Sequence, residues 1–263
     1  MMLSTPFAPS IPSSMLPKAM STPQTKSYDP SQQGRSSRVI CVLGMHRSGT
    51  SCLTGSLQAA GVELGDCHTW NRYNTKGNRE NQAFVDLNDE ILAANKSAWD
   101  NPPVSATWTS AQKRSALELL QQNGQAQVFA FKDPRTLLVL DGWKDVCPQM
   151  EFIGVFRHPN AVAKSLESRS GMSRAQAIEL WSDYNRRLLN QWKGRQFPLL
   201  CFDEPEEVFH SKLDVALDRL GLPELPKSMK FWEDSLRTSQ RYEAARLPIK
   251  SWLLYKALKA RSL

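Results

Sequence analysis

Hydrophobic positions along this chain switch between consecutive runs and helical spacing. Val39-Ile40-Cys41-Val42-Leu43 is apolar throughout and is bounded by Gly44. A short run rich in β-branched residues predicts a strand buried on both faces. After the turn, Leu53, Leu57 and Ala60 recur at helical spacing and Gly61 supplies a stop. Phe84, Leu87 and Ile91 predict a second helix, and the stretch from Ser110 to Gln122, followed by Gly124, a third. Val128–Phe131 and Phe152–Phe156 read as two further core strands. Pro159 opens the helix that follows, because its fixed φ and missing N–H suit a first turn. Ser173 and Gln176 form a capping-box pattern for a long helix with Ile178, Trp181, Leu188 and Trp192 on one face. Pro198–Phe202 is a fourth strand, and Val208, Leu213, Leu217 and Leu220 predict a helix ending at Gly221. Strands alternating with helices predict an α/β fold of three layers, a mostly parallel sheet with helices on both faces. The pattern contains no internal repeat.

Residues 1–37 differ from this. They are rich in Ser, Pro, Thr and Gln, with Asp29 the only acid, and predict a disordered leader ahead of an α/β domain over 38–263. The leader has no apolar core of a secretory signal, while its basic, acid-poor composition leaves an organelle transit peptide open. No apolar run approaches the roughly 20 residues of a membrane helix, so a cytoplasmic location is expected. The net charge is +7, but Lys18, Lys26, Arg35 and the border residue Arg38 against Asp29 account for +3 of it. The total favours an anionic partner without choosing its kind, and the remaining +4 leaves the folded part only mildly basic, which weakens a nucleic-acid reading. The five cysteines show no CxxC or Cys/His spacing, which argues against a zinc site or disulfide scaffold and for a reducing compartment.

The most informative segment is Gly44-Met45-His46-Arg47-Ser48-Gly49-Thr50-Ser51, between the first strand and first helix. Glycines let the backbone wrap an anion, and N–H groups at a helix start point at it. The Gly44–Gly49 spacing matches the GxxxxGK[ST] loop of P-loop nucleoside triphosphatases, so the expected fold is of that type. Thr50 stands where that loop has its Lys, the residue that reaches β- and γ-phosphates. ATP or GTP hydrolysis is therefore disfavoured, and the basic residue lies inside the loop, at Arg47.

Arg47-Ser48-Gly49-Thr50-Ser51 resembles the 5′-phosphosulfate loop [KR]xGT[ST] of the sulfotransferases. Arg157, Pro159 and Ser165 reproduce the offsets of that family's second signature. The whole phrase from Gly44 to Ser51 is similar to a broad group of bacterial sulfotransferase-family proteins. Asn74-Thr75-Lys76-Gly77-Asn78-Arg79-Glu80-Asn81 resembles their NPKGYxED segment with substitutions, and Lys132-Asp133-Pro134-Arg135 another of their segments. The likeness spans roughly Val39 to Gly221. It departs in having Arg rather than Lys in the loop, and in lacking an RKG-type segment near the C-terminus.

The resemblance implies 3′-phosphoadenosine 5′-phosphosulfate as sulfate donor, with no metal. The implied donor-binding residues are His46, Arg47, Ser48, Gly49, Thr50 and Ser51, with Arg157 and Ser165 on the 3′-phosphate. Arg47 is the candidate for stabilising the leaving oxygen, where charge builds in sulfuryl transfer. A neutral acceptor hydroxyl also needs a base. The resemblance implies a Glu about thirty residues after the loop, which makes Glu80, thirty after Thr50, the first candidate; His68 is the second and Asp133 the third. A helix-terminal acid is the plain alternative for Glu80. Lys132 and Arg135, at the end of a strand, are candidates for holding the sulfate or an anionic acceptor, with pairing to Asp133 or Glu80 the structural alternative. Trp70, Trp99, Trp108 and Pro102-Pro103 mark a segment expected to cover the acceptor. The acceptor itself, a glycan, lipid or small molecule, is not named by these residues, nor is the oligomeric state. Two other readings stay open: a nucleotide or small-molecule kinase, and a non-catalytic nucleotide-binding module.

Overall fold

The computed structural model describes residues 38–69, 77–225 and 245–263. The expected leader, Trp70 and Asn74–Lys76 lie outside them. The elements, in order, are β1 (Arg38–Leu43), α1 (Thr50–Ala59), α2 (Gln82–Ala94), α3 (Ser110–Asn123), β2 (Val128–Lys132) and α4 (Thr136–Val146). They continue with β3 (Glu151–Phe156), α5 (Pro159–Ser170), α6 (Arg174–Gly194), β4 (Leu199–Cys201), α7 (Glu206–Arg219) and α8 (Ile249–Lys259).

The described strands form one parallel sheet in the order β2-β1-β3-β4. Val42 of β1 is in register with Lys132 of β2 and Ile153 of β3, so the three strands end side by side. The side-chain alternation of β1 splits the core into two layers. Ile40 and Val42 pack with Leu53, Leu57, Phe209 and Leu213 from α1 and α7. Cys41 and Leu43 pack on the opposite face, where α2 to α6 and α8 contribute Phe84, Leu120, Trp143, Leu166, Trp181 and Leu258. Parallel strands covered on both faces must be apolar on both, which is why the strand signal was a run and not an alternation.

The capping box of Ser173 and Gln176 is present, and a second one joins Thr109 and Gln112 at the start of α3. The core face of α7 differs from the expected one by a residue: Val208 is exposed and Phe209 is buried. Helix α4 had no sequence signal, because its one apolar stretch is short and interrupted by Gly142. That glycine is required from outside the helix: a Cβ there would overlap the Trp108 ring. Trp108 in turn meets Trp143 edge to face, at 5.5 Å between centroids. Trp108 is therefore packed against the aromatic core.

Candidate functional site

From β1 the chain leaves to β2 on one side, and from β2 it crosses to β3 on the other. The carboxyl ends of β1 and β3 therefore flank the switch point where open α/β sheets bind ligands. The loop after β1 lies here. A Cβ on Gly44 would stand 2.6 Å from the Val155 carbonyl oxygen, so only glycine lets the loop pass this close to β3. Arg47 (φ 64) and Gly49 (φ 93) flank Ser48 in the left-handed region. This is the backbone curvature that gathers N–H groups into an anion-binding concavity. Arg47 holds that conformation despite its Cβ, a strain typical of ligand-binding loops. The Phe202 ring lies where a Cβ of Gly49 would be. No side chain caps the first turn of α1, whereas Asn81, Thr109 and Ser173 cap α2, α3 and α6. The start of α1, with Gly49 as N-cap, is thus the one of these four to which the N-cap residue lends no side-chain acceptor. Ser48 is fully buried and its Oγ has no hydrogen-bond partner. Thr50 is buried and Ser51 half-buried at the helix start.

The loop is tied to the element after β3. Arg47 Nε donates to Ser165 Oγ at 2.7 Å, across 118 residues of sequence. Burial lowers the Arg47 pKa, and Arg169 and Arg157 lower it further, so three guanidinium groups converge on this end of the sheet. Arg157 is 6% exposed, lies over the Phe202 ring at 5.5 Å, and has Asp203 Oδ1 3.7 Å from its Nε. Asp203 Oδ2 also accepts the His158 backbone N–H at 2.5 Å.

Beside β1, at the end of β2, lies a second charged group. Lys132 is 2% exposed, and its Nζ is 2.7 Å from Glu80 Oε1. Glu80 Oε2 accepts from Asn78 Nδ2 at 2.6 Å. Asn81, not Glu80, caps α2, so Glu80 is free of that structural task and faces Lys132 instead. Asp133 is buried between Arg135 Nη1 at 2.9 Å and Asn88 Nδ2 at 2.9 Å. Burial raises its carboxyl to about 6 against the pull of Arg135. Arg135 Nε also lies 2.6 Å from Asp89 Oδ1. Lys132 and Arg135 thus both take the paired arrangement. His68 is exposed; its backbone N–H donates to the Glu80 carbonyl, and its carbonyl accepts from Arg79. It flanks Glu80 through the main chain.

His46 joins the two groups. Its ring meets Trp99 edge-on at 4.9 Å and Tyr184 at 6.0 Å. Its Nε2 is buried without a hydrogen-bond partner. Burial, then Arg135, Lys132, Arg169 and Arg47, drives its pKa well down, so the imidazole is neutral. Trp99 thus covers His46, while Trp108 is core.

Beyond Asn78, which lies in the segment resembling NPKGYxED and bonds Glu80, the structure adds Asn88, Phe202, Asp203 and Tyr184, none of which had been expected. Only Asp203 carried a usable signal, as an acid just after a predicted strand at the carboxyl edge of the sheet. Among the described residues, no group of three or more His, Cys, Asp or Glu is placed to hold a metal ion, and no helix is long and apolar enough to cross a membrane.

The fold and this loop define an α/β protein of the P-loop nucleoside-triphosphatase type. The sequence model of the Sulfotransferase family matches residues 39–223, and the chain belongs to that family. Two solved structures are similar in fold. The sulfotransferase domain from the Synechococcus PCC 7002 olefin synthase has 17% identity and a TM-score of 0.53, covering 90% of this chain and 100% of that one. The sulfotransferase domain from the curacin biosynthetic pathway has 15% identity and a TM-score of 0.51, covering 86% and 98%. No curated protein matches the chain.

Proposed function

We propose that this sulfotransferase moves a sulfuryl group from 3′-phosphoadenosine 5′-phosphosulfate to a hydroxyl or amine of a glycan, lipid or small molecule. The observation that carries the reading is the Arg47–Ser165 hydrogen bond, which brings the loop and the second signature together at the switch point. The residues fit a donor carrying phosphate at both ends. Ser48 Oγ offers a donor that has no partner within the protein, at the start of a helix whose N-cap, Gly49, supplies no side-chain cap. Ser51 and Thr50 add hydroxyls beside them, with Gly49 and His46 completing the loop. Ser165 Oγ accepts from Arg47 and so keeps its own hydrogen to donate, next to Arg157, toward a 3′-phosphate.

The bound donor supplies an activated sulfuryl group, whose release leaves negative charge on a phosphate oxygen. Arg47 meets that charge with a fixed, permanently protonated fork, already oriented by Ser165. Glu80 accepts the proton of the acceptor hydroxyl. Lys132 holds one of its oxygens in place and Asn78 the other, and each oxygen retains a second lone pair. His68, beside Glu80, and the buried Asp133 are the further candidates for that proton. Lys132 and Arg135 act on an anionic group only while also serving their own carboxylates.

The test is calorimetric titration of the protein with 3′-phosphoadenosine 5′-phosphate and, separately, ATP. Micromolar affinity for the first and much weaker binding of the second is the expected result. Equal affinities, or preference for ATP with magnesium, would overturn the donor assignment.

A further inference from the structure

Helix α8 reverses the usual arrangement, in which the outward face of a surface helix is polar. Ile249, Trp252 and Leu253 are 72%, 47% and 53% exposed. Their spacing puts them on one face, opposite the buried Ser251 and Leu258. Lys256 lies on the same outward face, one turn further on, with its Nζ 5.8 Å from the Trp252 ring centroid. Lys250 is exposed at the flank. Residues 245–263 contain Arg246, Lys250, Lys256, Lys259 and Arg261 and no acidic residue. Two of these cations work within the fold: Lys259 pairs with Glu204 at 2.5 Å, and Arg261 donates to the Ala257 carbonyl. Lys250 and Lys256 accompany the exposed apolar side chains.

This composition selects the occupant. A protein face would match the apolar residues with apolar ones and leave the lysines to be dehydrated or paired with acids. A bilayer containing anionic lipid offers an apolar interior for Ile249 and Leu253 and a polar boundary that suits tryptophan. It also offers negative headgroups at the level of lysine ammoniums. We propose that the outward face of α8 docks on an anionic lipid surface. Ile249 and Trp252 also border a cavity of about 620 Å³ shared with His158 and Asn160. His158 directly follows Arg157, so docking sets the Arg157 end of the sheet beside the headgroups. If the proposed function holds, lipid-borne hydroxyls become the favoured acceptors; that extension rests on it, while the docking does not.

The test is co-sedimentation of the full chain with phosphatidylcholine vesicles and with mixed phosphatidylcholine–phosphatidylglycerol vesicles, at low and high salt. Binding to the mixed vesicles alone, weakened by salt, is expected. Lys250→Gln and Lys256→Gln should each weaken it by about fivefold at low salt. The combined Trp252→Ala, Leu253→Ser variant should weaken it at least about tenfold. Thermal melting should be unchanged in the lysine variants, because both side chains are exposed. Absence of binding to the mixed vesicles, or equal binding by all variants, would overturn the inference. So would a loss of self-association in the Trp252→Ala, Leu253→Ser variant without any vesicle binding, which would mark the face as a contact between copies. None of these readouts needs a sulfate donor, so their failure is separable from failure of the donor assignment.

Discussion

Replacing Glu80 with glutamine keeps the shape of the side chain and removes its charge. The Lys132 side chain is 1% exposed and that of Glu80 15%, so the ammonium has almost no water to fall back on. Breaking a buried pair from one side costs about 3–5 kcal/mol. The partial exposure of Glu80 and the surviving amide oxygen place Glu80→Gln at the lower end, about 3 kcal/mol. For a domain of this size that is a melting temperature lower by roughly 6–12 °C. Lys132→Met combined with Glu80→Gln removes the stranded charge and should recover most of the loss. Calorimetric melting of the four proteins, wild type, both single variants and the double, gives the coupling directly. A loss of rate in Glu80→Gln can be assigned to lost proton acceptance only below its reduced melting temperature. There the expected fall in kcat is about 10²–10⁴, with unchanged affinity for 3′-phosphoadenosine 5′-phosphate. A Glu80→Gln protein that melts like wild type, with a double variant no more stable than the single, would refute the burial argument. A near-normal kcat would separately end the assignment of Glu80 as base and move the test to His68→Ala and then Asp133→Asn.

Arg47→Ala is expected to cut kcat by about 10²–10³ with a smaller change in donor affinity, and Ser165→Ala to lose part of that through a less fixed guanidinium; steady-state kinetics with a donor titration separates the two, and a full-rate Arg47→Ala enzyme would remove the electrostatic argument. Arg157→Ala should weaken 3′-phosphoadenosine 5′-phosphate by one to two orders of magnitude, about 1.5–3 kcal/mol, and adenosine 5′-phosphate hardly at all; calorimetry showing equal losses would mean that Arg157 reads something else. Asp133 has its folded-state carboxyl raised to about 6, above the ordinary value of about 3.9. The folded state therefore holds this proton more tightly, and stability falls as pH rises between those two values, then levels off. Melting curves of wild type and Asp133→Asn should show the variant gaining relative to wild type over that window; a constant difference would place the titration elsewhere. Activity should survive EDTA, because sulfuryl transfer from this donor presents no β,γ-phosphates for magnesium to bridge.

The elements whose signal is local were legible along the chain. Consecutive apolar runs marked the strands, because a parallel sheet is buried on both faces and tolerates no alternation. Ser173 with Gln176, Pro159 and Gly61 marked boundaries, because caps and stops depend on a residue and its near neighbours alone. The loop between β1 and α1 was legible for the same reason, as a Gly-rich turn between a strand and a helix. Helix α4 was not, since Gly142 is there to admit Trp108 from another segment, and Val208 was placed on the face that Phe209 occupies. The chemistry at the site depended still more on the tertiary structure. Arg47 and Ser165 meet across 118 residues, Lys132 and Glu80 across 52, and Asn88 and Asp133 across 45. Periodicity carries no information about such meetings, because strand order and register decide them. The sequence alone therefore determined which residues could carry charge to the carboxyl edge of the sheet. Packing decided which of those charges stand open to a ligand and which, like Lys132 and Arg135, already hold a carboxylate, because a buried charge must find a partner wherever the fold puts it.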